Sequence, residues 1–545
     1  MNNQTDKIVN LSHLILNKII CCLDDNIDRF CFSLVCKRWY KDRDKYLILN
    51  LDNIFIRGVN NTDLKENNDS FRLPAYHNIF MKSIQSKTNC TLLIGKKLTY
   101  RSSYDFIFEN ARDIIAIPSY ISTVAVFTQL SESDNQYLYQ MMSESRSVTE
   151  LIGYRSLKYK IPNTITKLST TFNFNEPLVK GSLPNTLRHL FLDSDINNDF
   201  EVGVFPEGMT KIELIHNFQF ELKPGVFPSS LKILILPNYR FTLKPGVLPN
   251  NLYKLRYSGE KTTLVEGVLP ESLRILDIAS AYWLEGPASV LPVNLEQLTL
   301  NDKYCTDLLP INIKTLPPKL KVLHFHKSYQ LIGSIPTSVN DLHLAECQFE
   351  FNELFPPTLQ YHFKQFKYSN SEILAIPPNL KIDRLVVEGS FAKPITSLPS
   401  GIESIYLGMS IQGVPFSGNF IPATVREIRL PYSGMMLPTL PNTIESLDLG
   451  ENNLERSINM IPPSVKTLTF SESTKKVQPP EHFIKNFTNI IYQNYYGYGG
   501  YRVRKLTDQF SLVYLDSNEQ LFVHIVNQKK IERLLHHLTH FKSKV

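Results

Sequence analysis

The decapeptide LPNTLRHLFL, residues 183–192, sets the pattern on which most of this chain is built. Close variants recur as LPESLRILDI at 269–278 and as LPNTIESLDL at 440–449. In each copy, apolar residues follow the proline three, six and eight positions later. Because the last two apolar positions alternate with polar ones, we expect a β-strand with one buried face. Proline has a fixed φ and no N–H, so it marks the turn into that strand.

The same proline recurs at intervals of 19 to 25 residues through the region 161–470. The series consists of Pro162, Pro184, Pro206, Pro228, Pro249, Pro270, Pro292, Pro317, Pro336, Pro356, Pro377, Pro399, Pro422, Pro441 and Pro462. Self-similarity at this period is typical of a solenoid, in which each turn buries its inner face against its neighbours. We therefore expect a mainly β chain that forms a parallel solenoid of about 15–17 turns.

Five successive repeats also carry a glycine three residues before the proline. These glycines are Gly181, Gly203, Gly225, Gly246 and Gly267. A glycine at a fixed place in each turn indicates a backbone corner that disfavours a Cβ atom. Since about 21 residues per turn leave little room for a full helix, we expect extended or single-turn structure on the outer side.

The spacing of the apolar residues resembles that of a leucine-rich-repeat strand, and the residues around it narrow the resemblance. Phe172-Asn173, Pro177-Leu178, Gly181 and Leu183-Pro184 together resemble the signature of FNIP-repeat proteins, a leucine-rich-repeat-like family. The resemblance extends over 161–470 and implies a repeat solenoid. It implies less about function, because few members of that family are functionally understood.

The segment 11–45 carries a second resemblance. Its apolar spacing predicts two short helices, separated by a break at Asp24-Asp25-Asn26. The sequence SLVCKRWY, residues 33–40, resembles the end of an F-box, a helical hairpin that docks an adaptor of cullin-type ubiquitin ligases. The opening Leu11-Ser-His-Leu14 departs from the usual Leu-Pro-x-Glu of that family. The resemblance implies adaptor contacts at Leu11, Leu14, Leu34, Val35, Cys36 and Trp39. The alternative is a helical cap that shields the first edge of the solenoid.

The predicted organisation follows from these patterns. It consists of an F-box-like segment at 11–45, an N-terminal capping region at 46–112, degenerate repeats at 113–160, the repeat array at 161–470 and a C-terminal cap at 471–545. The C-terminal cap is predicted to contain a β-hairpin, 510–515 with 521–526, and a final helix at 531–538. Such a cap would cover the last strand edge.

Composition excludes several classes of protein. The chain has 545 residues, of which 43% are hydrophobic and 20% charged, as in soluble proteins. It has no apolar run of about 18 residues, so we expect no membrane span. Seven scattered cysteines predict a reducing compartment, the cytoplasm or the nucleus. A net charge of +6 is too dilute to predict a nucleic-acid partner.

No motif in the sequence points to catalysis. GxxxxGK[ST], GxGxxG after a strand, HExxH and GxSxG are all missing. We therefore expect a protein that is not an enzyme and needs no cofactor.

Side chains that alternate with the buried leucines should form rows on the exposed strand face, because parallel strands lie about 4.8 Å apart. Aromatic and arginine side chains are the usual energetic centres of protein interfaces. We predict a protein partner on this face, contacted by Phe191, Arg256, His324, His326, His343, Tyr361, Phe363, Tyr406 and Arg429. The three histidines are also compatible with a metal, but no carboxylate or thiolate clearly completes a site, so none is predicted. His362 falls at a core position of the pattern, which we attribute to a register adjustment at Pro356-Pro357.

The function predicted from the sequence is therefore protein recognition. In the more specific form, the chain is the substrate-recognition subunit of a cullin-type ubiquitin ligase. In the alternative form, it is a scaffold with no link to ubiquitin.

Overall fold

A computed structural model gives the fold of the chain. It describes residues 9–50, 74–95, 106–195, 199–217, 219–239, 241–258, 266–278, 290–301, 309–326, 329–345, 347–368, 376–388, 398, 400–407, 421–430, 439–450, 460–471, 487–493, 500–517 and 520–527. Two compact units are present. The array unit is Asn110–Ile444, and the terminal unit combines Met1–Glu109 with Glu445–Val545. The domain boundaries proposed above stay predictions.

The N-terminal part of the terminal unit is helical. It contains α1 (His13–Cys21), α2 (Asn26–Ser33), α3 (Lys37–Lys41), α4 (Arg43–Tyr46), α5 (His77–Ser86) and the parallel strands β1 (Cys90–Ile94) and β2 (Phe106–Phe108). The Ser12 hydroxyl caps α1, and the Asp25 carboxylate caps α2 by accepting from the Ile27 N–H at 3.0 Å. The predicted break at Asp24-Asp25-Asn26 is confirmed.

The array unit consists mainly of short strands. They are β3 (Ile121–Val126), β4 (Glu150–Tyr154), β5 (Lys167–Thr170), β6 (His189–Leu192), β7 (Lys211–Leu214), β8 (Ile233–Leu236), β9 (Lys254–Tyr257), β10 (Ile275–Ile278), β11 (Gln297–Leu300), β12 (Leu309–Asn312), β13 (Val322–Phe325), β14 (Tyr329–Ile332), β15 (Asp341–Leu344), β16 (Tyr361–Tyr368), β17 (Leu380–Val387), β18 (Ser404–Leu407) and β19 (Glu427–Arg429). Apart from β12 and β14, each strand pairs in parallel with the next, from β3 to β19. The predicted mainly β parallel solenoid is confirmed.

The prolines act as predicted. The carbonyl of Pro184 accepts a hydrogen bond from the Leu187 N–H at 2.9 Å, and Pro270 does the same for Leu273 at 3.0 Å. This turn places the third residue after the proline in the core, and the strand starts two residues later. Core positions such as Leu187, Leu190 and Leu192 are fully buried.

Where the structure describes the outer side of a turn in the array, it is mostly extended or a short single turn, as predicted. Gly181, Gly203, Gly225, Gly246 and Gly267 all have φ between +78° and +89°. An L side chain rarely adopts this conformation, which explains why glycine recurs at the corner. Strands β12 and β14 pair on their own, and α7 (Phe351–Leu354) is a single turn. The one longer helix described in this unit is α6 (Glu132–Glu144), an insertion between β3 and β4.

The C-terminal part of the terminal unit begins with parallel strands and ends with antiparallel ones. Its strands are β20 (Ser446–Asp448), β21 (Thr467–Ser471), β22 (Asn489–Gln493), β23 (Gly500–Lys505), β24 (Phe510–Ser517) and β25 (Gln520–Asn527). Strands β20 to β22 are parallel, whereas β22 to β25 form an antiparallel meander. The predicted hairpin is confirmed. The predicted final helix lies outside the described residues.

The helices and the hairpin of the terminal unit share one core. Leu16, Ile20 and Trp39 from the helices belong to the same buried cluster as Leu512 and Val523 from the hairpin. Because the hairpin supplies apolar side chains from the far end of the sequence, local pattern alone could not predict this packing. The N-terminal helices therefore pack against the C-terminal hairpin.

Candidate protein-binding face

The exposed side of the array ladder, here called the strand face, carries a continuous row of side chains. Neighbours in the row are partners in the parallel register, so each lies about one strand spacing from the next. The row runs Ser169, Phe191, Glu213, Ile235, Arg256, Asp277, Thr299, His324, His343, Lys367, Val386, Tyr406 and Arg429. Six of the predicted contact residues stand in it.

Tyr361 and Phe363 were placed on this face wrongly. They are 2% and 0% exposed, and their rings pack against Phe355 at centroid distances of 5.5 and 6.0 Å. The reason is the length of β16, which has eight residues where most neighbouring strands have four. Its pairing with β15 begins only at Gln365, so the residue beside His343 is Lys367.

The same register shift moves His362 out of the core. Its side chain is exposed, and Nε2 lies 2.9 Å from Asp383 Oδ1 on the neighbouring strand. The histidine therefore takes part in a surface ion pair and does not replace a core leucine. The adjustment near Pro356-Pro357 is real, but it acts by lengthening the strand.

Three histidines form a compact cluster: His324 in β13, His326 just after β13 and His343 in β15. The ring centroids of His326 and His343 are 4.7 Å apart, and His324 lies 6.0 and 5.8 Å from them. Asp341 Oδ1 contacts His324 Nε2 at 3.0 Å. In the part of the chain that the structure describes, no group of three or more His, Cys, Asp or Glu side chains could hold a metal ion.

Two histidines of the cluster, His326 and His343, have pKa values below the usual range of histidine. Burial, with the positive charge of Lys367 and the other two histidines, lowers the pKa of His343 to about 3. Burial also lowers the pKa of His326, with a smaller contribution from His324. Neutral imidazoles can both donate and accept hydrogen bonds, which suits a polar partner surface.

Most charges elsewhere in the row are compensated by neighbours. Arg256 Nε lies 3.2 Å from Asp277 Oδ2, although burial still raises the pKa of this aspartate. Burial acts against ionisation of Glu213 too, but hydrogen bonds from Lys211 and His189 outweigh it and lower the pKa. These pairs hold the face rigid and leave little free charge in the row itself.

The downstream end of the row combines an aromatic ring with charge. The Tyr406 hydroxyl donates to Glu427 Oε1 at 2.9 Å, and the Arg384 guanidinium lies 4.9 Å from the ring centroid. Arg429 is exposed beside Tyr406 in the register. Tyr406 and Arg429 therefore lie where the sequence predicted them.

Apolar side chains, here called the apolar patch, lie on β6, β8 and β10 among the charged side chains of Glu213, Arg256 and Asp277. The sequence reasoning only partly anticipated them. Phe191, Ile233, Ile235 and Ile275 are half-buried on the strand face. Tyr253, at the entry to β9, is 47% exposed. Ile233, Ile275 and Tyr253 were not among the predicted contacts, because the prediction favoured aromatic, arginine and histidine side chains within the strands and Tyr253 precedes its strand.

The F-box-like residues divide into buried and exposed sets. Trp39 is buried, its indole N–H donates to Val9 O at 3.1 Å, and it stacks on Phe32 with 4.5 Å between centroids. Leu14 and Val35 are 79% and 63% exposed. The side chains of Leu11, Leu34 and Cys36 are partly buried. Of these six residues, Leu14 and Val35 are the ones with largely exposed apolar side chains, whereas Trp39 belongs to the core.

These features define a repeat protein of the parallel β-solenoid class. Segments 156–195, 174–217, 196–239, 218–259 and 437–473 match the family described as FNIP Repeat. The family resemblance drawn from the sequence is confirmed over those segments, which lie at two places in the chain. A search of curated proteins gave no match.

A solved structure described as CroV588, a novel circular LRR protein, is similar at 18% sequence identity and a TM-score of 0.44. The similarity covers 76% of this chain and 67% of that one. Among the described helices, none combines the length and hydropathy that crossing a membrane requires.

Proposed function

We propose that this chain is a non-enzymatic recognition protein that binds a protein partner on its strand face. A repeat solenoid is suited to protein–protein interaction, because stacked turns present one extended surface. The observation that carries the proposal is the in-register row from Ser169 to Arg429. It combines apolar, aromatic and arginine side chains on a scaffold whose inner leucines are fully buried.

The dimensions of the face support a macromolecular partner. Five neighbouring strands span about 20 Å at a spacing of about 4.8 Å. The apolar patch on β6 to β10 therefore has the width of a typical contact element, such as a helix or an extended segment. A small molecule would need a concave pocket that buries most of its surface.

We further infer that the F-box-like segment docks an adaptor of a cullin-type ubiquitin ligase, in the cytoplasm or nucleus. The supporting feature is the exposure of Leu14 on α1 and of Val35 in the turn between α2 and α3, in a segment that otherwise packs into the terminal unit. The chain would then be a substrate receptor. The alternative is a scaffold without a ubiquitin link, favoured by the atypical opening at Leu11-Ser-His-Leu14 and by the structural role of Trp39.

Affinity capture of the full chain, followed by mass spectrometry, tests the strand face. The informative variant is Ile235→Glu, which puts a charge in the apolar patch. Val202→Glu is the matched control, because Val202 is an exposed apolar residue outside the patch. Proteins lost from Ile235→Glu but retained by Val202→Glu support the proposal, and equal retention by both variants contradicts it.

The same capture experiment separates the two forms of the function. A cullin adaptor that the wild type and Val202→Glu capture, but Val35→Asp does not, supports the ligase role. If the wild type captures partners on the strand face but no adaptor, the scaffold alternative holds.

A further inference from the structure

Basic residues recur at the position just before the strand on alternate turns of the array. Arg188 precedes β6, Lys232 precedes β8 and Arg274 precedes β10. Thr210 and Tyr253 take the same position on the turns between them. The register is fixed by backbone hydrogen bonds: Thr210 N to Arg188 O, Lys232 N to Thr210 O, Tyr253 N to Lys232 O and Arg274 N to Tyr253 O, at 2.8–2.9 Å. We call Arg188, Lys232 and Arg274 the basic stripe.

Backbone carbonyl groups hold the two arginines in place. Arg188 Nη1 donates to the carbonyl oxygens of Asn185 and Leu187 at 3.0 and 3.1 Å. Arg274 makes the equivalent bonds to Glu271 and Leu273 at 2.9 and 3.0 Å. The repeated geometry fixes each guanidinium at the same place on its turn.

No carboxylate of the described residues forms an ion pair with the stripe. Lys232 Nζ donates only to the Asn251 carbonyl, at 3.3 Å. Nearby acids are engaged elsewhere, Glu213 by Lys211 at 2.6 Å and Asp277 by Arg256 at 3.2 Å. Farther along the same position, Lys321 is by contrast paired with Glu296 at 2.7 Å. Arg188 and Lys232 thus form no ion pair with a described acid. Glu296 follows Arg274 in the same register, and its pKa is lowered mainly by Lys321, with a smaller contribution from Arg274.

Apolar side chains lie between and beside these cations. Ile233 and Ile275 directly follow Lys232 and Arg274 and are half-buried on the strand face. Tyr253 stands between the same two cations. A ligand over the stripe would therefore meet apolar surface beside Lys232 and Arg274, and the polar Thr210 between Arg188 and Lys232.

We propose that the basic stripe binds an extended acidic segment of the protein partner, with a carboxylate at every third residue and apolar residues between. This inference rests on the proposed function of the strand face. Cations on alternate turns lie about 9.6 Å apart at a strand spacing of about 4.8 Å. A polyproline II segment rises about 3.1 Å per residue and repeats its face every third residue, or about 9.3 Å. The two repeats match closely, and guanidinium groups bind carboxylates with favourable two-point geometry.

A nucleic acid is a poorer fit to the same surface. Single strands are usually held by a basic groove in which aromatic side chains stack on the bases. Here the stripe holds a single aromatic residue, Tyr253, and its other apolar neighbours are isoleucines. Aliphatic side chains suit the apolar residues of a peptide.

Fluorescence anisotropy with the full chain tests the inference. The probe is a labelled twelve-residue peptide made of four Glu-Pro-Leu repeats. A second peptide has the same composition with its glutamates contiguous, and a third has lysine in place of glutamate. Oligouridine RNA serves as the nucleic-acid probe. We expect the periodic acidic peptide to bind best, and its affinity to fall as salt is raised.

The variant that removes the basic stripe combines Arg188→Ala, Lys232→Ala and Arg274→Ala. We expect it to weaken binding of the periodic peptide at least tenfold. The control combines Lys160→Ala, Lys180→Ala and Lys314→Ala, three exposed lysines outside the stripe, and changes the net charge equally. Thermal unfolding followed by circular dichroism verifies that both variants are folded.

Several results would overturn the inference. They are no binding of the periodic peptide, equal binding of the contiguous peptide, stronger binding of oligouridine, or equal loss in the two triple variants. Failure here is distinguishable from failure of the proposed function. A captured partner that is lost from Ile235→Glu but kept by the stripe variant preserves the strand-face function and refutes the acidic segment.

Discussion

Tyr514 accepts a hydrogen bond from Asn26 Nδ2 at 3.3 Å, although the two residues lie 488 positions apart in the sequence. Two ion pairs flank this contact, Asp25 with Arg502 and Asp28 with Arg504. The start of α2 is thereby joined to strands β23 and β24. Stability of the N-terminal helices should therefore depend on residues near the other end of the chain.

Truncating Leu512 should loosen the N-terminal helices. Leu512 lies in the shared core, and removing a buried leucine side chain costs about 2–5 kcal/mol. Because the chain has two tryptophans, a Trp283→Phe background leaves Trp39 as the reporter of the helices. We expect Leu512→Ala to shift the urea midpoint of Trp39 fluorescence downward. Ile525→Ala, on the exposed side of the same hairpin, is the control. An unchanged midpoint for Leu512→Ala would show that the helices fold independently.

Adjacent residues of β8 should differ sharply in their effect on stability. Leu234 is fully buried, whereas Ile235 is half-buried on the strand face. We expect Leu234→Ala to lower the free energy of unfolding by about 2–5 kcal/mol. Ile235→Ala should cost about 1 kcal/mol or less. Urea unfolding followed by circular dichroism measures both, and equal losses would contradict the assigned orientation of the strand.

Two glycines with similar backbone angles should respond differently to a methyl group. Gly153 has φ +85°, and an added Cβ would lie 2.1 Å from Val126 O. Gly181 has φ +89°, with nothing within 4 Å of the same position. Gly181→Ala should cost about 1–2 kcal/mol through backbone strain alone. Gly153→Ala should cost clearly more, because the backbone of β3 or β4 must move. Thermal unfolding compares them, and equal melting temperatures would refute the close approach.

Acid should destabilise the array through His343. Its pKa is lowered to about 3 in the folded chain by burial and by the nearby Lys367, His326 and His324, and Asp277 acts on the adjacent His326. An unfolded histidine has a pKa of about 6.5, so between these values only the unfolded state takes up the proton. The free energy of unfolding should therefore fall by about 1.4 kcal/mol per pH unit below about pH 6.5.

The matching experiment compares wild type with His343→Gln, which has no proton to take up at this position. The difference in urea midpoint between the two proteins should move in favour of the variant as pH falls from 6.5 to 4.5. Above pH 7 the difference should be constant. Parallel profiles over the whole range would mean that His343 is protonated in the folded chain as readily as in the unfolded one.

The repeat pattern was readable from the sequence because each turn meets the same local requirements. Pro184 and Leu187 form their turn within four residues, and Gly181 satisfies a positive φ within its own segment. Such features need no knowledge of distant residues. The exposed row was equally readable wherever strands have four residues, as at Phe191 and Arg256.

The strand register could not be predicted from the sequence where the strand length changed. Counting from Pro356 put Tyr361 and Phe363 on the exposed face, yet the lengthened β16 turns both into a buried aromatic cluster around Phe355. A proline position fixes where a turn begins, but pairing with the neighbouring strand decides which residues align. Lys367 entered the row for that reason.

By itself, the sequence determined the period, the turn geometry and the buried side of most strands, because these depend on contacts within one turn or between identical turns. Only the tertiary structure decided which charged side chains are paired with a neighbour. The pairing of Glu213 and Asp277 with neighbouring bases leaves Arg188 and Lys232 without an ion pair among the described residues. It also decided that Asn26 meets Tyr514, since contacts between chain ends arise from packing and leave no periodic trace in the sequence.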